Sequence, residues 1–353
     1  MVKWCFYPDI HAVGSMRDGH PILSRDWIKA VASSAELASK ADVIILPGDV
    51  FDFTKVDGDA VEYMRLLVDG IKSAGKRVYF IEGNHDAQPK GVSPLAKAIG
   101  CEMLTEQGTM IDGKRVVGIN YCAREQLLPK LASVSELPAV DLLVLHVAMQ
   151  EFLGFDGAWQ ISAEDIPDNV KNVLVGDIHI KKCINLPSGG WMLSPGVLHA
   201  KSVDQDYTKC VWTWDGVNKP TEMPIWTRPI HHFKVSKENI DEFFTEVSKI
   251  EVTPEKIVLD VVCTPDITGI LRQEARTGRL QPFIFIERKE TKDEDVQDEE
   301  QSTDLRITTE ERLTLEAALP FEVDRTKDSE MYDFLFALLT SDSKKVIEEV
   351  AAT

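Results

Sequence analysis

The feature that most constrains this chain is a repeated pairing of a short apolar run with a polar cluster directly after it. In about the first 200 residues the apolar runs alternate with amphipathic stretches at helical spacing, a pattern typical of β-α-β units. The predicted strands span residues 3–7, 42–46, 77–81, 115–120, 142–145 and 172–175, and the predicted helices span 24–39, 58–73 and 124–133, with Ser24 as the N-cap of the first helix. The pattern therefore predicts an α/β fold.

Five of the polar clusters carry side chains that bind cations or transfer protons. They read P-D-I-H at 8–11, G-D-V-F-D at 48–52, E-G-N-H-D at 82–86, L-H-V at 145–147 and V-G-D-I-H at 175–179. In layered α/β folds, ligands bind where the carboxyl ends of the strands and their loops meet, so we expect the clusters to form one site. Taken singly, D-x-H is more often a turn or cap and His146 is more often a core histidine, whereas G-D-x-x-D is more specific and G-N-H-D the most specific of the clusters. Their joint occurrence favours a shared site. Without a bound ligand, a cluster of carboxylates and imidazoles at one sheet edge would be energetically unfavourable.

The donor types in these clusters indicate a metal centre. A mixture of carboxylate, amide and imidazole donors suits Mn²⁺, Fe²⁺ or Zn²⁺ better than Mg²⁺ or Ca²⁺, which prefer oxygen alone. Asp9 and His11 are two residues apart, so on an extended segment both side chains face the same ion. The donors outnumber the positions around one ion. The simplest allocation is two ions with Asp49 as the bridging ligand.

The remainder of the chain predicts a smaller α+β unit and a detached C-terminal segment. After strands and turns from residue 184 onward, we predict a helix at 237–249, a strand at 256–263, a helix at 267–276 and a strand at 282–287. Residues 290–304 contain eight acidic residues and one lysine, which is typical of a solvated linker. Beyond them, Thr308 with Glu311 fits a capping box, and Met331, Phe334, Leu335 and Leu338 form an apolar stripe on a second helix.

Charge and composition exclude few function classes. The net charge is −19, but residues 1–229 hold 29 acids against 23 bases, and residues 230–353 hold 29 against 16. Most of the excess therefore lies in the last third, and nucleic acid stays open as a substrate. No apolar run approaches the roughly 18–20 residues of a membrane span, and no apolar leader precedes Pro8. The six scattered cysteines argue against zinc knuckles or a disulfide framework, so we expect a reducing cytosol.

The order of these motifs resembles that of the calcineurin-like metallophosphoesterases: D-x-H, G-D-x-x-D, G-N-H-D, a lone histidine and G-x-x-H. More narrowly, the chain is similar to SbcD-type DNA repair nucleases and to bacteriophage recombination endonucleases. That narrower likeness depends on G-D-V-F-D at 48–52, D-I-P at 165–167 and S-P-G at 194–196. The resemblance implies a layered α/β/β/α sandwich with a small α+β capping domain and C-terminal helices. The implied domains are a two-metal nuclease domain at 1–228, a capping domain at 229–289, a linker at 290–304 and a helical region at 305–353.

The resemblance also implies roles for individual residues. One ion would be held by Asp9, His11, Asp49 and His179, and the other by Asp49, Asn84, His146 and Asp177. His85 corresponds to the catalytic histidine of the family, which is not a metal ligand. The family usually reads G-H-x-H where this chain has Asp177 as the second residue. An aspartate still ligates a cation, so Asp177 is kept among the ligands.

The function implied is a Mn²⁺-dependent DNA nuclease of repair and recombination in a bacterial or phage-infected cytosol. It would act as an exonuclease on duplex ends and as an endonuclease on single strands or hairpins. The C-terminal helices would bind an SbcC-like ABC-type coiled-coil ATPase, although folding back on the parent domain is the alternative. The helix at 58–73 has enough apolar positions for either the core or a homodimer interface.

Two other function classes remain open at this stage. One is a stand-alone metallophosphatase or cyclic-nucleotide phosphodiesterase that uses the same site on small substrates. The other is a catalytically inactive scaffold. The sequence argues against a scaffold, because every expected ligand position holds a polar residue.

Overall fold

The computed structural model describes residues 3–13, 26–52, 58–86, 95–153, 160–203, 205, 207–253 and 256–289. These residues form two compact units. Of the described residues, the first unit comprises those up to His199 together with Thr208–Trp226, and the second comprises those of Ala200–Tyr207 and of 227–289. The predicted cap Ser24, the acidic linker at 290–304 and the helices at 305–353 lie outside the described residues.

The first unit contains the following strands and helices. The strands are β1 (Trp4–Phe6), β2 (Val43–Leu46), β3 (Arg77–Phe80), β4 (Glu102–Met103), β5 (Thr109–Ile111), β6 (Lys114–Ile119), β7 (Leu142–His146), β8 (Val173–Gly176), β9 (Lys182–Asn185), β10 (Trp191–Ser194), β11 (Cys210–Trp214) and β12 (Thr221–Pro224). The helices are α1 (Asp26–Ser39), α2 (Gly58–Ser73), α3 (Leu95–Ala98) and α4 (Arg124–Ser135).

The strands of the first unit form two six-stranded sheets, in the orders β12-β11-β1-β2-β3-β4 and β5-β6-β7-β8-β10-β9. In the first sheet β1, β2, β3 and β4 run parallel to one another. In the second sheet β6, β7, β8 and β10 are parallel. The parallel runs bring the carboxyl ends of β1 to β3 to one edge, and those of β6 to β8 to the edge of the other sheet.

Both sheets are buried on both faces, which is why their strands read as nearly continuous apolar runs. Side chains alternate along β7: Leu142 and Val144 pack between the sheets with Phe6 of β1, whereas Leu143 and Leu145 face α4. On the outer face of the first sheet, α1 and α2 cover a third apolar cluster. This arrangement confirms the predicted layered α/β/β/α architecture.

The predicted strands and helices of the first unit are present, with ends that differ by one or two residues. The short β4, β5 and α3 were not predicted, because elements of two to four residues show no periodicity. The structure also decides the role of the apolar stripe on α2. Met64, Leu67, Val68 and Ile71 are buried in the core against the first sheet.

The second unit contains β13 (Ile230–Val235), α5 (Ile240–Val247), β14 (Val258–Cys263), α6 (Thr268–Thr277) and β15 (Ile284–Lys289). The three strands are parallel in the order β13-β14-β15, and both helices pack on one face of the sheet. The predicted helix at 237–249 begins only at Ile240, because Ser236 N donates to Asn239 Oδ1 at 2.7 Å and fixes a turn. No helix in the described part of the chain has both the length and the apolar character needed to cross a bilayer.

Candidate metal centre

The polar clusters that follow the central strands converge at one site in the first unit. β1 leads to Asp9 and His11, β2 to Asp49, β3 to Asn84 and His85, β7 ends in His146, and β8 leads to Asp177 and His179. The structure places all eight predicted site residues here, each within hydrogen-bonding or ion-pair distance of another member.

Backbone contacts between the strand ends hold the site in an uncommon conformation. Asp49 O accepts hydrogen bonds from the backbone of Ile10 at 3.0 Å and of His11 at 2.8 Å. His11 and Asp49 both have φ 48°, and Asp177 has φ 83°, a region that residues other than glycine rarely adopt. Such conformations persist where the surrounding structure enforces them, and they concentrate at functional sites.

The first group of donors lies around Asp9. His11 Nε2 is 3.1 Å from His179 Nε2 and 3.4 Å from Asp49 Oδ2. His179 Nε2 is 3.9 Å from Asp9 Oδ2, and that oxygen also accepts a hydrogen bond from Asp177 N at 2.9 Å. Two carboxylates and two imidazoles therefore converge on one small volume.

The second group lies on the other side of Asp49. His146 Nε2 is 3.3 Å from Asp49 Oδ1 and 3.7 Å from Asp177 Oδ1. The side-chain amide of Asn84 is 3.0 Å from His146 Nε2 and 3.2 Å from both Asp49 carboxylate oxygens. Asp49 thus contacts both groups, one through each carboxylate oxygen.

His146 is oriented by its second ring nitrogen. His146 Nδ1 donates to Pro47 O at 2.9 Å, which leaves Nε2 as the nitrogen that faces Asp49. A hydrogen bond of this kind fixes the tautomer and the ring orientation of metal-binding histidines. Asp49 is fixed in a comparable way, since Oδ1 accepts from His85 N at 2.9 Å.

The close approach of these groups requires glycine at several positions, among them Gly48 and Gly83. Gly48 has φ +109°, and a Cβ on it would lie 2.2 Å from His146 Nδ1. A Cβ on Gly83 would lie 2.1 Å from Asp49 Oδ1 and 2.4 Å from Asp49 N. Both distances are far below van der Waals contact, so these glycines determine where Asp49 and His146 lie.

The substitution Gly83→Ala tests this packing. We expect the added methyl group to displace Asp49 and to lower Mn²⁺ affinity at least about 10–100-fold, the range for loss of groups that orient metal ligands. Isothermal titration with Mn²⁺ measures the change. Gly58→Ala at the start of α2 is the matched control, because a Cβ there meets no atom within 4 Å. Equal Mn²⁺ affinity in the two variants would contradict the packing argument.

The electrostatics of the site fit cations. Asp9 Oδ1 is buried and has no hydrogen-bond partner among the described residues, which is costly for a carboxylate oxygen. Burial raises the pKa of Asp9 well above its usual range and also raises that of Asp177. Burial disfavours protonated His146, yet the carboxylates of Asp49, Asp9 and Asp177 outweigh it and raise its pKa to about 10. Burial thus disfavours the charged carboxylates of Asp9 and Asp177, and bound cations would stabilise their ionised forms.

The donor composition also fits such cations. Three sets of side chains have ligand atoms that all lie within 4.8 Å of one another, namely Asp9 with His11 and His179, Asp9 with Asp49 and His146, and His11 with Asp52 and His85. Imidazole and carboxylate together suit divalent ions of the first transition row. When bound, such ions lower the pKa of water and polarise phosphoryl oxygens.

Two aspartates contribute to the site in ways that the sequence did not reveal. Asp52 is buried, and its Oδ1 lies 3.1 Å from His85 Nδ1, so it orients the ring of His85. Asp86 is buried and accepts hydrogen bonds from the backbone of Val50, Phe51 and Gly83, tying the β2 and β3 loops together. Burial raises the pKa of Asp86 to about 6. Asp52 is the last residue of G-D-V-F-D and Asp86 is the last residue of G-N-H-D, but the sequence alone did not indicate a role for either of them.

Comparisons with known proteins find similarity to phosphoesterases and to DNA repair proteins. Residues 5–130 match the sequence profile of the family described as calcineurin-like phosphoesterase. A DNA double-strand break repair protein Mre11 of Sulfurisphaera tokodaii is 26% identical over 177 residues, 46% of each chain. Its counterpart from Archaeoglobus fulgidus is 22% identical over 315 residues, 76% of this chain and 67% of that one.

The extent of these matches differs. The chain spans about half of the length of the Sulfurisphaera relative, 46%. A solved dimetal phosphatase from Danio rerio aligns with a TM-score of 0.38 at 10% identity, over 64% of this chain and 99% of that one. That score carries no conclusion. The profile match, the Mre11 homologues at modest identity and the convergent donor set lead to one conclusion: the chain contains a calcineurin-like metallophosphoesterase domain.

Proposed function

We propose that this protein is a Mn²⁺-dependent DNA nuclease subunit of recombination and repair. It hydrolyses phosphodiester bonds as an exonuclease on duplex ends and as an endonuclease on single strands or hairpins. The observation that carries the proposal is the pair of donor groups joined by Asp49, with the His85 ring beside them. The similarity to DNA double-strand break repair proteins supports DNA as the substrate.

In the proposed arrangement, each donor group holds one cation. Asp9, His11, Asp49 and His179 hold the first ion, and Asp49, Asn84, His146 and Asp177 hold the second. Mn²⁺ is the ion proposed for both positions, with Mg²⁺, Fe²⁺ or Zn²⁺ as alternatives at one of them. The 3.2 Å separation between the Asn84 amide and both Asp49 oxygens supports a shared second position.

His85 takes the role of proton donor in this proposal. Its Nδ1 faces Asp52 Oδ1 at 3.1 Å, so Nε2 is the nitrogen left to protonate a leaving oxygen. The side chain is 34% exposed while Asp52 is 3% exposed, so the ring is accessible to substrate and its orienting carboxylate is not. A histidine whose ring is oriented by a buried carboxylate is suited to general acid catalysis.

A protein of net charge −19 repels DNA, so we expect a partner protein to contribute to DNA binding. We propose that an SbcC-like ABC-type ATPase binds this chain and supplies much of the DNA affinity, since counterion release from DNA requires basic residues. The proposed docking helices lie at 305–353, outside the described residues. Co-purification of the full chain with such an ATPase is the test of this part of the proposal.

Nuclease activity on an end-labelled DNA duplex tests the proposed function. We expect nucleotide release with Mn²⁺, weaker release with Mg²⁺, and none after EDTA treatment, because uncompensated carboxylates at the site would repel the phosphate. Cleavage of small phosphoesters with intact DNA would instead support a stand-alone metallophosphatase or cyclic-nucleotide phosphodiesterase. Inactivity on both substrate classes, with and without the ATPase, would contradict a catalytic role.

A further inference from the structure

An exposed tyrosine lies beside the proposed cation site. β6 pairs in parallel with β7, with Ile119 opposite Leu145, and the chain continues beyond β6 to Tyr121. The Tyr121 ring lies 6.3 Å, centroid to centroid, from the His146 ring at an interplanar angle of 79°. Tyr121 is therefore a neighbour of the histidine that faces Asp49 and Asp177.

The ring is accessible, but its backbone is fixed. Tyr121 is 40% exposed, and no hydrogen bond holds its hydroxyl in the described part of the chain. Tyr121 N donates to Glu82 O at 2.8 Å, and the Asn120 side chain makes two further hydrogen bonds with Glu82. The segment that carries Asn84 and His85 follows Glu82 directly, so the position of the tyrosine backbone is tied to that of the site.

A partly exposed aromatic ring on a fixed backbone is suited to stacking against a nucleic-acid base. Aromatic side chains provide a flat apolar face with few rotamers, so little conformational entropy is lost when a ligand binds. Bases stack on such rings with little dependence on sequence, and the phosphate at the cation site brings a base with it. We propose that Tyr121 is a positioning residue that stacks on a base beside the scissile phosphate, an inference that rests on the proposed nuclease function.

The test compares two single-stranded DNA oligomers in the presence of Mn²⁺. In each, one normal phosphodiester lies among uncleavable methylphosphonate linkages, and the nucleotides flanking it carry thymine in one oligomer and no base in the other. We expect wild-type kcat/KM to be about 5- to 150-fold higher for the thymine oligomer, the equivalent of ~1–3 kcal/mol per stacked base. Tyr121→Leu should bring this ratio close to one, and Tyr121→Phe should retain it.

The outcomes separate the two proposals. A structural role for Tyr121 would lower kcat/KM equally for both oligomers and leave their ratio at the wild-type value, which would overturn the stacking proposal alone. If the wild-type protein cleaves both oligomers with the same kcat/KM, the stacking proposal alone is overturned as well. If the wild-type protein cleaves neither of the two oligomers and no duplex DNA in the presence of Mn²⁺, the proposed function is overturned together with this inference.

Discussion

Asp49→Asn is expected to abolish metal-dependent hydrolysis. Asp49 contacts both donor groups, with Oδ2 3.4 Å from His11 Nε2 and Oδ1 3.3 Å from His146 Nε2. The substitution keeps the shape of the side chain but removes the negative charge shared by the two cation positions. We expect activity to fall by on the order of 10³-fold or more, since losing a single charge-stabilising group from a preorganised site costs about 10²–10³-fold.

The measurement combines nucleotide release from duplex DNA with Mn²⁺ titration calorimetry. Asp49→Asn should reduce Mn²⁺ binding as well as turnover, whereas Asp69→Asn should change neither. Asp69 is the matched control because its side chain is 48% exposed on α2 and pairs with Arg65 at 2.8 Å. Wild-type turnover in Asp49→Asn would exclude a bridging role for this carboxylate.

His85→Ala is expected to remove turnover while leaving cation binding intact. His85 takes part in the site through its backbone N, which donates to Asp49 Oδ1, and alanine retains that donor. The imidazole itself pairs with Asp52, so its loss removes the proposed proton donor and no proposed ligand. Loss of a general acid lowers rates by about 10²–10⁴-fold, and this is the range we expect for kcat.

Single-turnover kinetics and Mn²⁺ titration together test this separation of roles. His231→Ala in the second unit is the matched control, since that histidine is exposed on β13. Asp52→Asn should give a smaller loss of kcat than His85→Ala, because it only disorients the ring. Weakened Mn²⁺ binding in His85→Ala, of the size seen in Asp49→Asn, would show that His85 is a ligand and not a proton donor.

The second unit contains a buried charged cluster that the sequence did not predict. Asp260 is fully buried in β14 and contacts His232 at 2.8 Å and Arg288, each from a neighbouring strand. In the sequence these residues are separated by 28 positions on either side, and the apolar run around Asp260 predicted only a strand. Parallel pairing of β14 with both β13 and β15 creates the cluster, and strand pairing has no local signature.

The sequence by itself determined the order of the longer strands and helices, the α/β class and the eight polar residues that converge at the site. It did so because burial imposes a periodicity on each of these elements, and because carboxylates and imidazoles gathered at one sheet edge are unfavourable unless something compensates their charge. Only the tertiary structure shows the distances between the donors, with Asp49 Oδ2 3.4 Å from His11 Nε2 and Asp49 Oδ1 3.3 Å from His146 Nε2. It also placed Asp52 against His85 and Tyr121 beside His146. These relations join residues between 25 and 168 positions apart, and only the packing of strands brings them close together.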